Sequence, residues 1–136
     1  MIGTDAKLDA FLSEHRWGVL TTLRVSGQPV SSVVAYARQG DSLVVSTPAD
    51  RFKTLSIERD PRVNFCAITN AEPFNFVAVE AHAQVERENL EAATQAVFDA
   101  IAGTGYEAPE DLALWIREDN RVILRLDPVR VYGVIR

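Results

Sequence analysis

The longest regular pattern in the chain runs from Phe74 to Arg87, where residues alternate between two unlike faces. One face reads Val77, Val79, Ala81, Ala83, Val85. The other reads Phe74, Phe76, Ala78, Glu80, His82, Gln84, Glu86. A period of two puts successive side chains on opposite sides of a β-strand, so one face belongs to a core and the other to a mixed surface or interface. A strand this long also needs neighbours for its backbone N–H and C=O groups.

The remaining segments supply those neighbours. Trp17 to Val25 is rich in β-branched residues, Ser26-Gly27-Gln28-Pro29 is a turn, and Val30 to Tyr36 resumes as a strand. Gly40-Asp41 turns again before Ser42 to Thr47, which predicts a three-stranded antiparallel meander. Arg62 to Thr69 reads as a further strand, and Arg121–Leu126 and Val129–Ile135 as two more divided by Asp127-Pro128. Helical spacing marks Thr4–His15 through Leu8, Phe11 and Leu12, and Glu88–Ala102 through Leu90, Ala93, Val97, Phe98 and Ile101. A short helix from Arg51 to Arg59 is expected after an Asp50 cap, with Phe52 and Leu55 facing inward; Asp60-Pro61 stops it. Another short helix follows Pro109 and carries Leu112, Trp115 and Ile116. Six or seven mostly antiparallel strands in 136 residues favour a barrel, closed or nearly so, as one domain spanning residues 1–136. The connections are too short for repeated βαβ crossovers.

Composition narrows the class. An apolar fraction of 47% with 24% charged residues excludes a disordered chain, and a net charge of −5 speaks against a general nucleic-acid binder. No apolar run reaches the roughly 18–20 residues of a membrane span. The start, Met1-Ile2-Gly3-Thr4-Asp5, lacks the basic and apolar regions of a secretory leader. Cys66 is the single cysteine and forms no internal disulfide. The expectation is a cytoplasmic protein with neither nucleic acid nor membrane as partner.

Phosphate-loop fingerprints are missing from the sequence, and His15, His82 and Cys66 are too scattered for a zinc set, so no metal is expected. Cys66 lies in the apolar run Phe65-Cys-Ala-Ile68 and reads as a buried, inert thiol; His82 and Glu80 read as surface or interface residues. The informative stretch is Ser46-Thr-Pro-Ala-Asp-Arg-Phe-Lys-Thr54. It leaves a strand, enters a helix, and gathers Arg51, Lys53 and the hydroxyls of Ser46, Thr47 and Thr54 at one junction. Cations at a helix start oppose its dipole, a conflict that a bound anion relieves. The alternative is a pair of solvated surface charges.

Three patches then resemble a known family. Gly18-Val-Leu-Thr-Thr-Leu23 followed by Gly27-Gln-Pro29 is similar to its first barrel strand and turn. Arg51-Phe-Lys-Thr-Leu55 through Arg59-Asp-Pro-Arg62 resembles its R-x-K-x-x-N-[LI]-x-[RK]-[DN]-P-[RK] stretch. Val79-Glu-Ala-His-Ala-Gln84 is similar to its V-x-G-x-A strand. The family is the pyridoxamine-5'-phosphate-oxidase-like split β-barrel superfamily, and the nearer match is its flavin/deazaflavin oxidoreductase branch, whose members often use coenzyme F420. Ser56 and Ile57 stand where the family has an asparagine-leucine pair, and Ala81 where it has a glycine.

The resemblance implies a mostly β, six- to seven-stranded antiparallel split barrel with helices (the FMN-binding split barrel). It also implies a homodimer with cofactor clefts between subunits. Arg51 and Lys53 would contact the cofactor's phosphate or acidic tail. Val30, Ser31 and Ser32, with Ser46 and Thr47, would run beside its ring and side chain. Thr54 would add a hydroxyl, and Phe74 and Phe76 would be lent by the partner subunit. The implied function is an F420-dependent reductase that transfers a hydride between the deazaflavin and an unsaturated small-molecule substrate. The alternatives are an FMN-dependent oxidoreductase like pyridoxamine 5'-phosphate oxidase, and a non-enzymatic flavin- or deazaflavin-binding protein. The longer F420 tail calls for further cations, with Arg38, Arg59 and Arg62 as candidates. No side chain is marked as catalytic; Tyr36 or a water is the candidate proton donor.

Overall fold

The computed structural model describes residues 1–136. In chain order the elements are α1 (Ala6–Glu14), β1 (Trp17–Leu23), β2 (Pro29–Ala35), β3 (Ala37–Gln39), β4 (Ser42–Pro48), α2 (Phe52–Arg59), β5 (Arg62–Ile68), β6 (Phe76–Glu86), α3 (Glu91–Ala100), α4 (Leu112–Glu118) and β7 (Arg121–Val134). The strands form one seven-stranded sheet in the order β2-β1-β5-β6-β7-β4-β3, antiparallel at every pairing. It curls until β2 and β4 meet, which makes a split β-barrel. No helix is long and apolar enough to cross a membrane.

The alternation on β6 organises the interior. Val77, Val79, Ala81 and Ala83 are buried in the barrel core together with Leu20, Val34, Leu43, Val45, Phe65, Leu124 and Leu126 from the other strands. α1 closes one end with Phe11 and Leu12 and is capped by Asp5, whose carboxylate accepts from the Lys7 N–H at 2.8 Å. A second, smaller core lies outside the sheet. There α3 and α4 pack Leu90, Ala93, Val97 and Ile116 on Ala37 of β3, Val44 of β4 and Ile123 of β7.

Several expectations are corrected. The first three strands are not a continuous meander: β2 and β3 do not pair and lie at opposite edges of the sheet. The chain crosses between the edges at Tyr36, which is fully buried, edge-on to Phe65 at 4.7 Å, with its hydroxyl donating to the Leu12 carbonyl at 2.7 Å. Burying that ring and satisfying its hydroxyl outweighs continuing the hairpin. Arg121 to Val134 is one strand rather than two. Glu80 pairs with Arg130 but Ala81 pairs with Pro128, so Val129 bulges out and the ladder tolerates the proline's missing N–H. In α2 the inward residues are Thr54, Ser56 and Ile57, whereas Phe52 and Leu55 are exposed. The residue at the N-cap is Arg51 rather than Asp50, and it makes no side-chain cap. The fourth helix begins after Asp111, which caps it through the Leu114 N–H, and not at Pro109.

Candidate functional site

Where the sheet's two edges converge, α3 and the α3–α4 connection roof over a cavity of about 540 Å³. That lies within the roughly 300–1,000 Å³ of small-molecule sites. Its floor is Val33, Val34 and Ala35 of β2 and Ser46, Thr47 and Pro48 of β4; Phe98, Tyr106 and Trp115 stand over them. The lining is therefore rich in aromatic rings. Trp17 meets Tyr106 edge-on at 6.4 Å, and Phe98 meets Trp115 at 5.4 Å.

The lining is also cationic: Arg51, Lys53 and Arg121 all belong to it. Neither Arg51 nor Lys53 forms an ion pair. Burial, together with the positive charges of Arg51 and Arg121, holds the Lys53 ammonium below the usual lysine value of 10.5. Burial likewise lowers Arg121, against the opposing pull of its partner Asp119. Three like charges converge on one partly desolvated pocket in a protein of net charge −5, which makes the potential there locally positive although Glu107 shares the lining.

Of the residues expected to meet a cofactor, Ser46, Thr47, Arg51 and Lys53 come together in this cavity. Alternation along β4 groups Thr47 with Leu43 and Val45 on the core side, and Ser46 with Val44 on the side of the helices. Thr54 is fully buried beneath them and spends its hydroxyl proton on the Pro48 carbonyl at 3.0 Å, tying α2 to the end of β4. Val30, Ser31 and Ser32 lie further along β2, outside the cavity lining, and Ser31 is bonded to Thr21 at 2.8 Å. Phe74 is exposed in the loop before β6, and Phe76 opens β6 opposite Ile68 and Val134; neither lines the cavity.

The candidate tail cations are engaged elsewhere. Arg38 pairs with Asp9 at 2.7 Å and with Asp41, Arg59 donates to the Leu23 carbonyl, and Arg62 pairs with Asp60. Tyr36 is enclosed in the barrel core away from the cavity, and burial pushes its hydroxyl far above its ordinary value, so it is no proton donor. Cys66 is half-buried on the outer sheet face rather than in the core, and desolvation raises its thiol above the usual cysteine value, which disfavours the thiolate. Sequence reasoning missed Arg121 and the aromatic roof. The signal for Arg121 was absent: an arginine opening a strand looks like any rim residue until the fold lays it beside Ser46.

A family model described as pyridoxamine 5'-phosphate oxidase matches residues 4–135. Among solved structures, a conserved hypothetical protein of Mycobacterium tuberculosis is similar with a TM-score of 0.80 and 22% identity, over 98% of this chain and 85% of that one. An F420 reductase is similar with a TM-score of 0.75 and 22% identity, over 95% of this chain and 98% of that one. A FAD-binding protein of Mesorhizobium loti gives 0.73 and 18% over 96% and 94%.

Proposed function

The chain belongs to the pyridoxamine 5'-phosphate oxidase family, and from that premise we propose that it is an oxidoreductase binding a phosphate-bearing flavin or deazaflavin in the cavity between β2, β4 and α3, with F420 as the first reading. The observation that carries this is the convergence of Arg51, Lys53 and Arg121, two of them without a carboxylate partner, on a cavity that is also lined by Phe98, Tyr106 and Trp115. The Ser46 hydroxyl and these cations would hold the phosphate, and the apolar floor of β2 would take the flat ring. When bound, the cofactor supplies hydride transfer to or from an unsaturated small molecule. The chain's own contribution is placement, charge complementarity and exclusion of water beneath Phe98, Tyr106 and Trp115.

F420 comes first because the motif from Arg51 to Arg62 resembles the branch that uses it. FMN is the second reading, favoured by a specific observation: Arg38, Arg59 and Arg62 are occupied away from the cavity, leaving one cationic cluster, enough for one phosphate.

A second copy of the chain belongs to the same proposal. The outer face of β2, β1, β5, β6 and β7 carries the cross-strand row Val33, Val19, Cys66, Ala78 and Tyr132, with Val33 and Tyr132 exposed at its two ends. On that face Asn64 Oδ1 is buried without a hydrogen-bond partner. Val33 is also a cavity residue, 72% exposed; in this proposal a copy seated there adds to the cavity wall and lends its Phe74 and Phe76.

Fluorescence titration of the purified protein with F420 and with FMN, then turnover of a conjugated enone with the reduced form of whichever binds, tests the reading. Saturable binding with turnover is expected. Binding without turnover leaves a carrier protein in place of an enzyme, and absence of binding by either cofactor removes the reading altogether.

A further inference from the structure

Arg121 does more than add charge to the cavity. Its Nε donates to Ser46 Oγ at 3.3 Å, and its Nη2 donates to Ser46 Oγ and to the Ser46 carbonyl, both at 3.2 Å. The guanidinium is itself fixed from two further sides. Nη1 donates to Asp119 at 3.1 Å, and its plane lies 4.7 Å from the Trp115 ring centre. The side chain is only 18% exposed.

A serine hydroxyl has two acceptor positions and one proton. The guanidinium fork takes Ser46 Oγ as its acceptor through both Nε and Nη2, so the hydroxyl proton is turned away from it and is what remains for the cavity. No group of the chain is bonded to it: Ser46 Oγ only accepts, and of the charged side chains that share the cavity Arg51 and Lys53 only donate, while the Glu107 carboxylate makes no contact with the hydroxyl.

We propose that Arg121 is a positioning residue that holds Ser46 as a hydrogen-bond donor into the cavity, toward the anionic oxygens of the group that Arg51 and Lys53 would take. This rests on the phosphate-bearing cofactor reading and deepens it. Arginine is needed for its fork: a lysine keeps the charge but cannot span both oxygens of Ser46 at once. Trp115 and Asp119 are the struts, and through Trp115 the setting of α4 reaches the hydroxyl.

The test is a double-mutant cycle of Ser46→Ala and Arg121→Lys with inorganic phosphate as probe. Binding is followed through the backbone amide signals of Thr47 and Lys53. Each single change should weaken phosphate binding roughly tenfold, the loss of one hydrogen bond to a charged acceptor. The double change should weaken it no further, because both remove the same donor. Ser46→Thr, which keeps the hydroxyl, should bind like the parent. Multiplying losses would show independent action and overturn the proposal, as would unchanged binding in Arg121→Lys. Should Arg121→Lys fail to fold, the serine pair still decides: binding lost in Ser46→Ala and kept in Ser46→Thr supports the proposal, and binding kept in Ser46→Ala overturns it. Absence of phosphate binding by the parent protein overturns it too. If phosphate binds in this pattern while neither F420 nor FMN binds, the cofactor reading fails and this one stands.

Discussion

Arg51 and Lys53 line the same pocket yet differ in setting, and the difference sets what each should do when changed. Arg51 is exposed and Lys53 half-buried, so salt should weaken the Arg51 contact more. Replacing either by alanine should reduce affinity for a phosphate-bearing cofactor about ten- to a hundredfold, with the melting temperature nearly unchanged because neither belongs to a core cluster. Titrations at two ionic strengths check both the loss and its salt dependence. Lys53 adds a pH dependence. Its folded value lies below 10.5, so between the two values the unfolded chain holds more protons than the native one. The lysine's contribution to stability therefore rises with pH across that window, and below it the charged form costs stability. A bound anion favours the charged form, so affinity should be full below the folded value and fall as pH rises through it. Lys53→Arg should keep binding into the alkaline range, since a guanidinium stays charged. Affinity of the parent that stays flat up to pH 10.5 would count against Lys53 as a ligand contact.

At the scale of elements, β6 and β7 hold the fold together and place the site. β7 pairs with β6 from Ile123 to Val134 and with β4 from Arg121 to Leu126, so it carries Arg121 to Ser46 on one edge while joining the long strand β6 on the other. Gly133 is where the two backbones come closest. A Cβ there would overlap the Phe76 carbonyl and lie 3.0 Å from Val77 Cα, both backbone atoms that cannot swing aside. Gly133→Ala should therefore cost about 1–3 kcal/mol, the usual range for overpacking, read from the denaturant midpoint. Because the strain lies at the far end of β7 from Arg121, phosphate affinity of the folded variant should match the parent. The α3–α4 roof behaves differently: it rests on the smaller core and on the Phe98–Trp115–Arg121 stack, so it is the part of the site that repacking can move.

For the whole molecule, the outer face is the feature that one chain leaves unexplained. Val33, Ile68, Tyr132 and Val134 are exposed on it, and Phe52, Leu55 and Phe74 are exposed as well. Apolar surface gathered on one side of a small protein marks a contact site, and a two-fold pairing buries the same face twice. Sedimentation equilibrium should give twice the 15.0 kDa chain mass at micromolar concentration. Val33→Glu or Tyr132→Glu should shift it to the single-chain mass while the circular dichroism stays native. A parent protein that sediments as one chain would remove the intersubunit cleft and the proposed role of Phe74 and Phe76 with it.

The sequence alone determined most of the strands, though neither the short β3 nor the continuity of β7, because burying one face of a pleated strand imposes a period of two that is readable from Val77 to Ala83 without any neighbour. It also determined the anion-binding candidates Arg51 and Lys53, which share one local turn from β4 into α2. What it left open depended on contacts far apart in the chain. The parting of β2 and β3 was decided by burial of Tyr36 against Phe65 and Leu12, and the unbroken β7 by a bulge opposite Ala81. The face that α2 buries was decided by the wall it packs on, which reversed the expectation for Phe52 and Leu55. Arg121 lies 75 residues from Ser46, and no local pattern encodes that distance. Only the curl of the sheet, set by packing on both of its sides, brings the guanidinium to the hydroxyl and turns a rim arginine into part of the site.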